Sequence, residues 1–422
     1  MLRAERTVIM IERFAEAQCT LARLRASAGA EHLDGFAETL FSAGYSRRSG
    51  IRYVNGAAHL GNWCRRAGVA IERIDEEILG QFLDHLPRCR CRRSTRDRRR
   101  DSRAAVAHFL EYLRRCGVAA PATDCVRRTT IVDAFCVWMR GYRGVTDGTL
   151  GVYAPLVREF VECEGERPEE YDASGVRAFV LRRARRSGTD RGRAVVTALR
   201  MFLRFSCATG RCLPALIEAV PTIASWRLAK LPRYISAVDV ERVIAACDTA
   251  RPKGARDRAM VLLMARLGLR SGEVATLRLQ DLDWTRGRLH VVGKGGAESS
   301  LPLPQDVGDA ILRYVEAVRP AAPHQYVFVR MVPPWRRLRG VSVSDVVAAA
   351  MQAAGVEGRF RGGHMLRHSL ATNLLRDGAS LEQIGALLRH RSTTTTEIYA
   401  KVDVATLRRM AQPWPALEIS PC

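Results

Sequence analysis

Through most of the chain, apolar residues return at every third or fourth position, the spacing of an α-helix with one buried face. The pattern predicts helices over residues 3–26, 49–68, 75–86 and 102–117, and a second helical block over about 129–212. The second block loosely repeats the first. Phe36 answers Phe135, Leu60 and Trp63 answer Leu156 and Phe160, and Ile74-Asp75 answers Tyr171-Asp172. Arg103-Ala104 with Tyr112-Leu113 answers Arg193-Ala194 with Phe202-Leu203, and Pro121 and Pro214 close the two blocks. Generic four-helix patterning produces similar matches by chance, so the repeat is an expectation for the fold to test. Residues 221–233 have the composition of a linker and carry Arg227, Lys230 and Arg233.

From Tyr234 the pattern changes. Ser236 and Asp239 have the spacing of a capping box at the start of a helix. A further helix over 255–267 stops at Gly268, and another begins near Ser271. Residues 288–292 and 299–303 alternate like two short strands around Gly293-Lys294-Gly295-Gly296, which predicts a β-hairpin. Helices follow over 305–318, 342–354, 363–376 and 380–388, with a last pair bracketing Tyr399. The fold class is mainly α, with one small antiparallel β-sheet in the C-terminal part.

Length suggests two to four domains in 422 residues, and 47% apolar with 26% charged residues is a globular balance. The charge narrows the partners. Lys plus Arg number 67 against 44 Asp plus Glu, a net +23, which favours a polyanion and above all nucleic acid. The longest apolar stretch, 259–269, is short and interrupted by Arg266, and the first 14 residues carry Arg3, Glu5, Arg6 and Glu12. Neither a membrane span nor a signal peptide is expected, and the reading is cytoplasmic. Nine arginines crowd residues 88–103, among them Arg96, Arg98, Arg99 and Arg100, as a phosphate-facing segment would; a merely solvated run is the plainer alternative. The 12 cysteines show no C-x-x-C spacing, and Cys89 and Cys91 are poorly spaced for zinc, so the expectation is reduced thiols and no metal.

Only four of the 67 basic residues are lysines, a bias that genome-wide coding preference explains as well as function does. One of the four, Lys294, stands between glycines at the hairpin tip, where a flexible ammonium could donate a proton; arginine does not deprotonate in proteins. Arg270 follows Gly268 at a helix start, a location that favours anions. His364, Arg367 and His368 are spaced to share one helix face, with Leu366, Leu370 and Leu374 available for burial. Each of these has an ordinary structural explanation alone.

Their order and spacing together resemble the catalytic set of the tyrosine recombinases, the phage-integrase family. The motifs are Leu267-Gly-Leu-Arg270-Ser-Gly-Glu273, Lys294 in its hairpin, His364-Met-Leu-Arg367-His368, Leu388-Arg-His390-Arg-Ser and Thr395-Thr-Glu-Ile-Tyr399, with Thr394 and Glu397 spaced to cap the last helix. One departure is Arg389, where the family usually has glycine. The resemblance implies a metal-free, cofactor-free site-specific recombinase that cleaves and rejoins duplex DNA through a 3′-phosphotyrosyl intermediate. Tyr399 would be the nucleophile, Arg270 and Arg367 the phosphate grips, Lys294 the general acid and His364 the base. His390 would be a phosphate hydrogen-bond donor, and His368 and Glu273 would have supporting roles. It further implies a helical core-binding domain over 127–220, the linker 221–233, a catalytic α+β domain over 234–410 and a tail over 411–422. Core-binding and catalytic domains would close a C-shaped clamp, and copies would associate on DNA with one another, as a synaptic tetramer, or with related recombinases.

A type IB topoisomerase shares the nucleophile and arginines, and a non-catalytic DNA-binding relative or a membrane-surface binder would share the charge. The block 1–122 lies outside the resemblance. Its apolar positions Phe36, Leu60, Trp63, Phe82, Leu83, Phe109, Leu110 and Leu113 predict a folded helical module. That module could be a second DNA-binding domain or a protein-docking one.

Overall fold

The computed structural model describes residues 10–89, 98–121, 130–224, 232–293, 296–356, 362–390 and 392–402. The side chains at 88, 98–101, 187–190 and 393 lie outside that description. Outside it too are Lys294, Arg96, Arg227, Lys230, the tail over 411–422 and the side chains of Arg98, Arg99 and Arg100.

The first block runs from a 3-10 turn (Met10–Arg13) through α1 (Gln18–Arg25), α2 (Ala30–Ser42) and α3 (Arg47–Arg66). After a 3-10 turn at Ile71–Arg73 come α4 (Glu76–His85), a 3-10 turn at Leu86–Arg88, and α5 (Arg98–Arg115). Polar caps start two of these helices: Ser49 N–H donates to Ser46 Oγ at 3.3 Å and Ile78 N–H to Asp75 Oδ1 at 2.9 Å. Phe36, Leu60, Phe82, Phe109 and Leu113 are fully buried together, with Trp63 and Leu83 packed at the edge. Phe36 meets Phe109 edge-on, with ring centroids 5.1 Å apart.

Two expectations differ here. The periodic stretch 3–26 is not one helix in its described part, because the chain breaks between Arg13 and Gln18. The break seats Phe14 against Gly50 of α3, where a Cβ would lie only 2.1 Å from the ring, so close approach of two elements outweighs helical continuity. Helix α2 is an addition that the sequence pattern does not predict, and it begins with no side-chain cap.

The second block contains α6 (Ile131–Arg143), α7 (Asp147–Glu164), a 3-10 turn at Pro168–Glu170, α8 (Ala173–Ala208) and the short α9 (Ala215–Glu218). Phe135, Phe160, Phe179 and Phe202 form its fully buried centre. Its element order repeats that of the first block. Helix, helix, 3-10 turn and Asp-capped helix occur as α2, α3, Ile71–Arg73 and α4, and again as α6, α7, Pro168–Glu170 and α8. Asp172 caps α8 through Gly175 N–H at 2.7 Å as Asp75 caps α4. Helix α8 is continuous for 36 residues, whereas the first block divides the corresponding length between α4 and α5.

The third region carries α10 (Ala237–Ala245), α11 (Pro252–Leu267), α12 (Ser271–Thr276) and strands β1 (Leu282–Asp283), β2 (Arg288–Val292) and β3 (Glu298–Pro302). Helices α13 (Gln305–Ala317), α14 (Gly340–Ala353), α15 (Gly363–Arg376), α16 (Leu381–Leu387) and α17 (Thr393–Thr396) follow, and a 3-10 segment, Glu397–Val402, ends it. The strands form one antiparallel sheet in the order β1-β2-β3, with Leu289 opposite Leu301 and Val291 opposite Ser299. Leu289 and Val291 face the core and their neighbours face out, the period-two alternation of a one-sided sheet. β1 adds a strand to the expected hairpin. Ser236 caps α10 through Asp239 N–H at 3.1 Å, and Gly268 ends α11 in the left-handed conformation at φ 59°. Helix α11 is buried on nearly all sides and is the centre about which this region packs.

Met1–Ala119 and Leu228–Cys422 make up one compact unit, and Ala120–Arg227 another. Within the first unit the ring of Trp335 covers Gly44 so closely that any Cβ there would meet it. Among the described residues, no helix is long and apolar enough to cross a membrane.

Candidate active site

The turn after α11 brings Arg270 to the first position before α12. Its backbone N–H donates to Glu273 Oε2 at 2.9 Å and its Nη1 to Glu273 Oε1 at 2.7 Å, so one carboxylate fixes both main chain and guanidinium. Arg389 Nη2 donates to the same Glu273 Oε2 at 2.9 Å. Both Glu273 and Arg389 are almost fully enclosed, and Arg270 is one-third exposed. Arg389 adopts φ 56°, the left-handed region, and it alone among described non-glycine residues does so. The chain thus keeps the backbone shape that a glycine would supply and adds a third guanidinium there.

Helix α15 delivers His364, Arg367 and His368. Leu366 is buried in the main core, while Leu370 and Leu374 pack partly buried in a smaller cluster with Leu388, Ile384 and Tyr399. Arg367 is buried too, its Nη1 donating to the Gly268 carbonyl and its Nη2 to that of Leu388. These bonds tie the end of α11, the middle of α15 and the end of α16 into one frame. His364 is exposed at the helix start, its ring centroid 6.4 Å from that of His368.

Tyr399 lies in the 3-10 segment Glu397–Val402 and not in a helix capped by Thr394 and Glu397; α17 ends at Thr396 before it. The phenol is 1% exposed, and its hydroxyl is 2.8 Å from His368 Nδ1. The fold therefore sets His368, and not His364, against this hydroxyl. His390 Nδ1 is 2.8 Å from the hydroxyl of buried Thr396, so its hydrogen bond is to the turn that precedes Tyr399.

The electrostatics are those of a site short of negative charge. Burial pushes the Arg367 guanidinium down to about 10, and neighbouring Arg270 and Arg389 push the same way while Glu273 opposes them. Burial lowers Arg389 as well. Burial would raise Glu273, but its bond from the Arg270 backbone and the charge of Arg389 outweigh this and hold it below the usual carboxylate range. Desolvation first, then His364 and Arg367, pull His368 down to about 4. Desolvation, Arg367 and Arg270 take His390 to about 4. His364, though open to solvent on one side, is lowered by partial desolvation against the site and by the same two arginines. Burial raises Tyr399 to about 12, against the pull of Arg367 and Arg270. Near neutral pH the phenol is protonated and His368 neutral, so the phenol can donate to the imidazole. Two guanidiniums share the Glu273 carboxylate and Arg367 has only carbonyl partners, so an anion entering among the three would relieve the crowding.

The structure brings together Arg270, Glu273, His364, Arg367, His368, His390 and Tyr399. Arg233, outside the site, is exposed at the start of the C-terminal region. In the sequence Arg389 stands out only as a departure from glycine. Its partner Glu273 is 116 positions away, which no local spacing reveals.

Comparison with known proteins adds three findings. The pattern described as the phage integrase family matches residues 233–406. A Sinorhizobium fredii protein, y4rA, described as an integrase/recombinase, is 37% identical over 411 residues, 95% of this chain and 98% of its own. Tyrosine recombinase XerD of Listeria monocytogenes is 28% identical over 66% of this chain and 96% of its own. A crystal structure of the XerH site-specific recombinase bound to difH substrate has the same fold at a TM-score of 0.51. The likeness covers 80% of this chain and 94% of that one, at 18% identity.

Proposed function

The chain belongs to the phage integrase family, the tyrosine recombinases, and from that premise we propose a site-specific recombination reaction centred on Tyr399. The Tyr399 oxygen attacks a DNA phosphodiester, the bond from phosphorus to the 5′-oxygen breaks, and a 3′-phosphotyrosyl ester forms with a free 5′-hydroxyl. Attack by a 5′-hydroxyl from another strand reverses the exchange and releases the tyrosine. One ester replaces another at each step, so no nucleotide cofactor is consumed. The observation that carries this reading is the cluster of Arg270, Arg367 and Arg389 around Glu273, beside the hydrogen-bonded pair His368 and Tyr399.

Arg270 and Arg367 hold the non-bridging oxygens, where one charged donor is worth roughly 3 kcal/mol, about a hundredfold in rate. His390 donates a further hydrogen bond to the phosphate. Lys294 protonates the departing 5′-oxygen. His364 acts as the base toward Tyr399, with neutral His368 as the hydrogen-bond partner that holds the phenol and receives its proton on the way. Glu273 orients Arg270. No step needs a metal ion.

In the same reading, residues 127–220 are the core-binding domain, 221–233 the linker with phosphate contacts from Arg227, Lys230 and Arg233, and 234–410 the catalytic domain. Residues 1–122 form a second helical DNA-binding module, an assignment supported by the repeated element order. Arg96, Arg98, Arg99 and Arg100 are its phosphate contacts. Copies assemble on duplex DNA as a synaptic tetramer in the cytoplasm and integrate, excise or transpose a mobile element. The test is Tyr399→Phe on a nicked suicide substrate. The variant should bind DNA nearly as the wild type does and form no covalent adduct. An adduct on the variant would exclude Tyr399.

A further inference from the structure

The first block holds a cluster that the recombination chemistry does not use. His59 on α3, His85 at the end of α4 and Cys89 just after the 3-10 turn Leu86–Arg88 converge. One ligand atom from each lies within 4.8 Å of the other two. His59 Nε2 and Cys89 Sγ are 3.4 Å apart. For zinc, with bonds near 2.0 Å to nitrogen and 2.3 Å to sulfur, a tetrahedral N···S edge is about 3.6 Å, so this pair is already at coordination spacing. The Nε2 atom of His85 is buried and has no hydrogen-bond partner among the described residues. A buried polar atom left unpaired is costly unless something else completes it.

We propose that His59, His85 and Cys89 form a structural site for a borderline-soft divalent metal of the zinc class, with a fourth position open to water. Two imidazoles and a thiolate select such an ion over magnesium or calcium, which take oxygen ligands. Binding exchanges the Cys89 S–H bond for a sulfur–metal bond and releases one proton to solvent. The surroundings suit a stable site: Phe82 stands edge-on to His59 with centroids 5.1 Å apart, and Trp63 lies 6.2 Å from His85. Ligand nitrogen and sulfur up to 4.8 Å apart must close by about an ångström for the third bond, a movement within side-chain reach. The metal would tie α3 to the turn at which the arginine-rich run 88–103 begins in the sequence. Linear spacing conceals the site because its ligands come from two helices and a turn.

The test uses full-length protein stripped with a chelator and titrated with Co²⁺. One equivalent should produce a sulfur-to-cobalt charge-transfer band and intense visible d–d bands, and added Zn²⁺ should bleach both. Cys89→Ser should abolish the charge-transfer band with helix content unchanged by circular dichroism. His85→Gln should weaken cobalt binding by about a hundredfold, since even residues behind a ligand change affinity by up to that factor. Cys91→Ser should keep the band. A Cys207→Ser, Cys212→Ser double variant should also keep it, and it is needed because those two sulfurs lie 3.2 Å apart. Zn²⁺ should raise the melting temperature of the wild type and leave that of Cys89→Ser unmoved. No thiolate band in the wild type, or a band that survives Cys89→Ser, overturns the site.

Discussion

His368 and His390 are held as neutral imidazoles near pKa 4, and this has a consequence for stability. Unfolding returns each to an ordinary value near 6.5, so between about pH 6.5 and 4 the unfolded chain binds more protons than the folded one. Stability is therefore retained above pH 6.5 and lost as pH falls toward 4. Melting temperature measured across that window should drop steadily, and a His368→Gln, His390→Gln double variant should flatten the curve. Arg389 supports a second prediction. Its left-handed backbone costs on the order of 1 kcal/mol, and its bond to Glu273 offsets part of that. Arg389→Gly should thus leave the melting temperature close to wild type while slowing single-turnover DNA cleavage by about tenfold, the value of roughly 1.4 kcal/mol of lost charge stabilisation. An unchanged cleavage rate would reduce Arg389 to a structural contact. The placing of His364, Arg367 and His368 on one helix was legible in the sequence, because it depends on spacing within that helix. The pairing of His368 with Tyr399 was not, because it depends on how a 3-10 segment folds back on α15, 31 positions earlier.

Among the elements, those with a local signal were legible: α4 and α10 by a polar cap and an apolar stripe, α11 by its Gly268 stop, and β2 with β3 by their alternation. Those shaped by packing were not. The uncapped α2, the break that seats Phe14 and the two-residue β1 each exist because a neighbour fixes them. The 3-10 segment bearing Tyr399 likewise differs from the helix that Thr394 and Glu397 suggested, with Tyr399 buried against Leu388 and Ile384. The repeat between the blocks was faint as sequence because few residue identities survive, yet its capping aspartates carry it clearly. Asp75→Ala and Asp172→Ala should each cost about 1 kcal/mol, measured by denaturant unfolding. Because they cap helices in separate cores, the double variant should show the sum. A markedly larger loss for either would mean the aspartate does more than cap.

For the whole molecule, a net +23 makes DNA binding salt-dependent, with a slope that counts the phosphates contacted. The logarithm of affinity should fall linearly with the logarithm of salt concentration, by about 0.9 per phosphate neutralised. Replacing Arg96, Arg98, Arg99 and Arg100 by glutamine should reduce that slope by up to about four contacts' worth, read by anisotropy titration at several salt concentrations. An unchanged slope would move the first block from DNA binding to protein docking. Composition and charge foretold the class of partner. They did not foretell that the first block shares a compact unit with the C-terminal region, since that grouping depends on contacts such as the one between Trp335 and Gly44. The burial of Tyr399 also bears on how such a protein behaves inside a genome. A phenol that is 1% exposed cannot reach a phosphate by collision alone. Until the Glu397–Val402 segment shifts, a chance encounter with DNA finds the hydroxyl covered, so each molecule's reactivity is limited by that shift as well as by contact.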